Sequence, residues 1–334
     1  MPKNVSETYP ELFHYTGIDG LMGILRSHTI WATHAAFLND THEIIAFRSM
    51  LSPLLRRAVT DGISERVQRN PKEEGLINRS GGKERVIADI SSALDSGIYD
   101  ILLGSRTESR LFEPYIASFC TPASVDIAQH GLLSQWRGYG TDGGYAIVFD
   151  SSGLEALLRE EHGRWRYHLI LTDAVYSSHK DAIVPEEFTE DMEIISTAIK
   201  KFIGSGLQES ELDDTFRPIL HSALRYKHWG FYEEREVRIV AMPTDVNRLD
   251  KGDALVNKEQ KKPRRYFVRG GMAIPFVELF EGITSFPEKP LPVSRIIVGP
   301  HKDQTRRRRA LEIYLNQHLP HIEVSASEIP YVAL

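Results

Sequence analysis

The chain has 334 residues, 41% of them hydrophobic and 26% charged, with a formal net charge of −6. That length can bury a large core, and the charge excludes a surface that is basic overall. No window reaches the ~18 unbroken apolar residues of a membrane span, the first ten residues hold no apolar secretory stretch, and the lone Cys120 excludes an internal disulfide or a multi-cysteine metal site.

Phe13–Thr16 reads as a first strand, followed by a helical stripe over 17–26 with apolar residues at 18, 21, 22, 24 and 25. Residues 30–33 form a second strand. A helix starts near Thr41 and carries Ile44, Ile45, Phe47, Met50 and Leu51 on one side. Residues 62–84 are polar and turn-rich around Ser80–Gly82, an expected exposed excursion. A helical pattern resumes from Ile87 to Leu103, and the texture then changes to strands at 115–120 and 145–149. A helix near 153–162, strands at 167–171 and 174–176, and a helical stretch over 187–226 come next. Strands at 237–241, 265–269, 272–274 and 295–298, a helix over 303–317 and a short strand at 322–326 complete the pattern. Helices segregate from a mostly antiparallel set of strands, which is α+β. With no repeat and no linker, residues 1–334 are expected to form a single elaborated domain, at home in a reducing cytoplasm.

Two runs set charged and aromatic groups against apolar sequence: Leu133–Gly140 (LSQWRGYG) and Glu234–Arg238 (EREVR). Polar groups at the mouths of core strands are costly unless paired, so they must meet partners or a ligand. Glu234, Glu236 and Arg238 alternate, and on one strand they would share a face. Two carboxylates there repel unless an arginine neutralises them, and Arg238 and Arg137 are the candidates. Such a constellation is either catalytic or a structural ion-pair network. Arg137 offers a planar fork for a pyrophosphate or carboxylate beside an aromatic that could stack on a base; its alternative is a buried pair with Glu236 or Glu234. The glycines at 138, 140, 143 and 144 form neither a dinucleotide fingerprint nor a phosphate loop.

His14, between Phe13 and Tyr15, is either a structural hydrogen-bonder or a site residue. Thr16 holds the place of a helix cap with Asp19 three residues on, and Asp40 holds a similar place before Glu43. The 13 histidines show no metal-ligand spacing, and Cys120 in an apolar strand reads as inert. Two basic clusters stand out: a loop over Lys258–Arg265, and Arg306, Arg307, Arg308 and Arg309 opening a helix with an expected buried face of Leu311, Ile313, Tyr314 and Leu315. Each is either a solvated face or a nucleic-acid contact.

Phe13–Thr16 with Gly20–Leu25, then Phe37–Asp40, Ser118–Cys120, Leu133–Gly140, Glu234–Arg238, Arg295–Pro300 and Ser327–Tyr331, resemble in order the hallmarks of a large bacterial and phage domain family of unknown function. More distantly, His14-x-Thr16 on a first strand, with a short helix and second strand behind it, is similar to the opening of the ADP-ribosyltransferase fold. That resemblance implies a mostly antiparallel split sheet, NAD as substrate, and transfer of ADP-ribose or a related glycosyl group to nucleic acid or protein, in phage defence or as a toxin. It implies that His14 holds the NAD ribose, with Ser118 on a middle strand and Glu236 on a later one. The glutamate would hydrogen-bond the nicotinamide ribose and stabilise an oxocarbenium-like transition state. On this reading Glu236, Glu234, His14 and Arg137 are catalytic, while His14, Thr16, Ser118, Gln135, Trp136, Arg137, Tyr139 and Arg238 hold NAD. His14, Ser118, Arg137 and Glu236 are then expected to converge on one cleft. Tyr15 departs from the fold, which often has glycine after the histidine. The alternatives are a non-catalytic module that binds a nucleotide or nucleic acid in the same cleft, and an interaction protein whose polar network is only structural.

Overall fold

The computed structural model describes residues 5–38, 42–103, 113–139, 143–177, 183–243, 262–285 and 288–331. In chain order the chain forms α1 (Val5–Thr8), β1 (Glu11–Thr16), α2 (Ile18–Ser27), β2 (Ile30–His34), α3 (His42–Arg69), α4 (Lys72–Arg79) and α5 (Lys83–Leu103). Next come β3 (Tyr115–Cys120), α6 (Val125–His130), α7 (Leu133–Tyr139), β4 (Tyr145–Asp150), α8 (Ser151–Trp165), β5 (His168–Asp173) and β6 (Val175–Tyr176). Then follow α9 (Thr189–Gly204), α10 (Phe216–Arg225), β7 (Tyr226–Lys227), β8 (Glu236–Met242), β9 (Arg265–Arg269), β10 (Met272–Leu279), β11 (Val293–Val298), α11 (Gln304–His318) and β12 (Glu323–Ala326). The class is the expected mixture of helices with a mostly antiparallel sheet. Among the described residues no helix is long and apolar enough to cross a membrane.

Two compact units divide the chain. One takes Met1–His34, Glu113–Ala174 and Tyr232–Leu334; the other takes Ala35–Phe112 and Val175–Phe231.

The first unit is built on a sheet of order β12-β11-β4-β1-β3-β2-β10-β9, with β8 joined to β3 and β5 to β8. Among its described strands only β11 and β12 run parallel. Strand β4 is buried along Tyr145–Phe149, as a continuous apolar run between two covered faces should be. One face carries Leu12, Phe119, Ile147, Phe149, Val237, Ile239 and Ile296 under α2, α8 and α11, which contribute Leu21, Leu154 and Leu311. The other carries Phe13, Tyr15, Cys120, Ala146, Val148 and Ile297 around Trp136 of α7. Local signals set the helix starts: Asp150 caps α8 by accepting from Gly153 N at 2.6 Å, and Ser124 caps α6 by accepting from Ile127 N at 3.2 Å. At α2 the expected cap is corrected. Gly17 holds that position without a side-chain bond, and the Thr16 hydroxyl instead fills the space a Cβ on Gly20 would need.

Strand β3 is the junction of the sheet. One of its edges pairs with β8 along Tyr115–Cys120. The other is shared, with Tyr115 and Ile116 facing β2 and Cys120 facing Phe13 of β1. Between those contacts β1 and β2 leave Ala117–Phe119 unpaired along that edge, so the sheet opens in a seam beside β1.

In the second unit, α3 packs against α5 and α9. Phe47, Leu51, Leu55 and Val59 of α3 and Ile195, Ile199 and Phe202 of α9 are buried. Gly62 allows this approach, since a Cβ there would lie 3.2 Å from Ile203. The stretch 62–84 is helical on both sides of the turn at Ser80–Gly82, with mostly exposed side chains. The helical stretch 187–226 is broken into α9 and α10 by a 3-10 segment at Glu209–Thr215.

Candidate functional site

The seam between β1 and β3 holds the histidine. His14 Nδ1 lies 3.0 Å from the Ser118 carbonyl oxygen, in the stretch of β3 that β1 leaves unpaired. The ring also meets Phe119 at 5.7 Å between centroids. Burial holds the His14 pKa below its ordinary 6.5, outweighing the opposing effect of the Ser118 bond. The ring is therefore neutral at pH 7, Nδ1–H donates to the carbonyl, and Nε2 is the acceptor nitrogen. Ser118 itself is half-buried, and its neighbour across the ladder is Arg238.

On β8, Glu236 and Arg238 form a bidentate pair: Arg238 Nε donates to Oε1 at 2.9 Å and Nη2 to Oε2 at 2.8 Å. Their side chains are 5% and 3% exposed, so this is an interior ion pair. The register sets Cys120 opposite Glu236 and Ser118 opposite Arg238, with Thr172 of β5 on the far side of Arg238. Directly opposed residues share a face, so Glu236 and Arg238 emerge on the side of Phe13 and Cys120. His14, one residue on from Phe13, leaves β1 on the other side and reaches Ser118 through the seam. Strands β1, β3 and β8 are thus consecutive neighbours, but the imidazole and the carboxylate leave opposite faces of the sheet and Arg137 lies apart beside Tyr331, against the expected convergence of His14, Ser118, Arg137 and Glu236 on one cleft.

Three expectations about this cluster need correction. Glu234 does not share the strand face: it ends a 3-10 turn over Trp229–Glu234, and Arg235 between it and β8 has φ +42°. That left-handed residue is held where the Arg235 carbonyl accepts from Thr121 N at 3.2 Å and Thr121 Oγ1 at 3.0 Å. The buried partner of Glu236 is Arg238 and not Arg137. Arg137 is exposed at the end of α7, with its guanidinium carbon 5.4 Å from the ring centre of Tyr331. Trp136 is a core residue, 1% exposed, set edge-on to Tyr15 at 4.9 Å and donating from Nε1 to the His130 carbonyl at 3.0 Å. Gln135 is buried beside it, Tyr139 is half exposed, and Thr16 ends β1 opposite Tyr145.

The basic clusters are largely tied down. Arg307 donates to the Gly143 carbonyl at 2.6 Å, and Arg308 and Arg309 both reach Glu312, at 2.9 and 3.5 Å. Arg306 is exposed. The buried face of α11 is Leu311 and Leu315, while Ile313 is 56% exposed, against the expected face. In the other run, Lys262 is fully buried 2.6 Å from Glu161, Arg264 pairs with Glu113 and Arg265 with Glu278. Residues 258–261 and the pair Asn39–Asp40 lie outside the described residues.

Sequence reasoning missed the network around Glu161, whose oxygens accept from Tyr167 Oη at 2.6 Å and Phe280 N at 2.8 Å. Nothing in its helical surroundings marks that glutamate as buried. It also missed the pair between Arg295 and Glu11, although Arg295 opens one of the motifs that carry the family resemblance. Among the described residues no cluster of histidine, cysteine, aspartate or glutamate could hold a metal ion.

Residues 135–239 match the model of a family described as Protein of unknown function (DUF2971). The match opens on Gln135 in α7 and closes on Ile239 in β8, so it includes Trp136, Arg137 and the Glu236–Arg238 pair but not His14. No curated protein and no solved structure matches the chain.

Proposed function

We propose that the chain uses NAD as an ADP-ribosyl donor, bound at the seam between β1 and β3. The observation that carries this reading is the adjacency of three strands bearing His14, Ser118 and Glu236, with the first pair of strands open beside the histidine. Two inter-strand steps of about 4.8 Å separate the β1 and β8 backbones by about 10 Å, and because His14 and Glu236 leave opposite faces a nucleoside reaches both only by entering the open seam. The neutral His14 ring, fixed by its bond to the Ser118 carbonyl, offers Nε2 to a ribose hydroxyl. The Glu236 carboxylate opposes the positive charge that grows at ribose C1′ as the bond to nicotinamide breaks. Nicotinamide leaves with the bonding pair, a nucleophile of the acceptor bonds to C1′, and its proton is released to solvent. The acceptor is a protein or a nucleic acid. A role in phage defence or as a toxin, inside the cytoplasm, accords with this chemistry.

The bidentate hold of Arg238 on Glu236 favours a second reading, a module that binds a nucleotide without turning it over, because a neutralised carboxylate has less charge to offer C1′. Purified protein incubated with NAD and assayed for free nicotinamide separates the two. Release that falls by about 10²–10³ per folded molecule in Glu236→Gln, beyond whatever stability the broken pair with Arg238 costs, supports the transferase. NAD binding without release supports the module. Neither binding nor release overturns both.

A further inference from the structure

We propose that the groove beside β12 receives an extended acidic peptide as an added strand, a binding function separate from the seam. Among the described residues β12 is the terminal strand of the sheet, and a groove of about 860 Å³ runs along it between α6 and α11. Val324, Ala326, Glu328, His130, Gln304 and Arg308 are among its lining residues.

The main chain identifies the occupant. Ser327 N donates to the Val298 carbonyl of β11 at 2.9 Å, which fixes the alternation of β12. Odd-numbered amides face β11, so the N–H and C=O groups of Val324 and Ala326 face the groove. One step further, Glu328 N donates to His130 Nδ1 at 3.2 Å, and the imidazole stands where the carbonyl of a next strand would stand. The edge strand, Glu323-Val324-Ser325-Ala326, has no proline and carries its one charge at its first residue. At the other end of the sheet β9 carries Arg265 and Arg269, the usual protection against added strands. Side chains supply the sign of the partner. Two guanidiniums, Arg295 and Arg308, against the single carboxylate Glu328 are among the lining residues, so the groove carries a net positive charge. Gln304 Nε2 donates to the carbonyls of Val298, Gly299 and Ser327, at 3.3, 3.1 and 2.8 Å, and fixes the wall to the strand before any ligand arrives. A nucleic acid would engage the arginines but would leave the strand amides unused.

The probe is a fluorescein-labelled octapeptide of alternating valine and aspartate, followed by anisotropy, with amide exchange read at Val324 and Ala326. Expected are saturable binding and slowed exchange at both amides. Ala326→Pro, which removes one edge donor, should weaken binding about tenfold, the size of one lost hydrogen bond. Arg308→Glu, which leaves the edge intact, should weaken it about fivefold and flatten its salt dependence. Unchanged melting curves establish that both variants fold. Absence of saturable binding overturns the proposal, as does binding unaffected by Ala326→Pro. An oligothymidylate that competes fully with the peptide, and whose own binding is lost in Arg308→Glu but kept in Ala326→Pro, assigns the groove to nucleic acid and overturns it too.

Discussion

Glu236 and Arg238 sit two residues apart on β8, each with its charge withdrawn from solvent. Removing one member of such a pair leaves the other charge uncompensated, and that is the costly change. Arg238→Ala should therefore destabilise the protein by about 3–5 kcal/mol, whereas exposed Arg137→Ala should cost less than about 1 kcal/mol. The double variant Glu236→Leu/Arg238→Leu should recover most of the loss, because two apolar groups of similar size leave no buried charge. Urea denaturation of the variants measures all three, and a larger loss in Arg137→Ala than in Arg238→Ala would contradict the pairing. His14 adds a pH dependence. Its folded pKa lies below 6.5, so the unfolded chain binds the extra proton first as pH falls. The stability tied to its neutral form is complete above about pH 6.5 and is lost as the pH drops from there through the folded value. His34 is shifted in the same direction by burial, so His14→Gln should shallow the decline between pH 7 and pH 5 without abolishing it. Denaturant midpoints across that range provide the measurement.

At the scale of one element, α7 shows how neighbouring residues divide their labour. Trp136 fills the space between α7 and the sheet, and two glycines make way for it. A Cβ on Gly131 would come within 2.5 Å of the indole, and one on Gly299 within 2.8 Å. Gly131 also has φ +78°, where a Cβ adds strain of its own. Gly131→Ala should thus cost about 2–4 kcal/mol and Trp136→Ala about 3–5 kcal/mol, both read from thermal melts. The sequence announced this segment by its composition but not by its role. Arg137 beside an aromatic read as a fork for a ligand, whereas residues 133–139 are helical, with Gln135 and Trp136 buried and Arg137 and Tyr139 exposed. Strands such as Tyr145–Asp150 and Glu236–Met242 were legible because their apolar runs admit few alternatives. The face on which each side chain emerges was not, since it depends on register with a strand more than a hundred residues away. Arg235 illustrates the limit: alternation joined Glu234 to Glu236, and one left-handed residue separates them.

The molecule as a whole interleaves its two units along the chain. The sheet unit draws on three separate stretches and the helical unit on two. Deleting Tyr232–Leu334 removes β8, β10 and β11, and with them the partners of β3, β2 and β4. In that truncated chain the amides of β1, β3 and β4 should lose their exchange protection together, since each strand gives up a neighbour or depends on one that does. Hydrogen exchange by mass spectrometry tests this, and persistent protection of β4 would show that the sheet survives without its third stretch.

The same interleaving sets a timetable for synthesis. Strand β8 follows β1 from the ribosome about 220 residues later, roughly 10–45 s at ordinary elongation rates. Until then β3 has no partner along its longer edge, and nascent chains carry an exposed strand that chaperones must shield. A cell making this protein therefore meets no finished seam on partial products. Whatever chemistry the seam performs starts only after β8 has been made and has paired with β3.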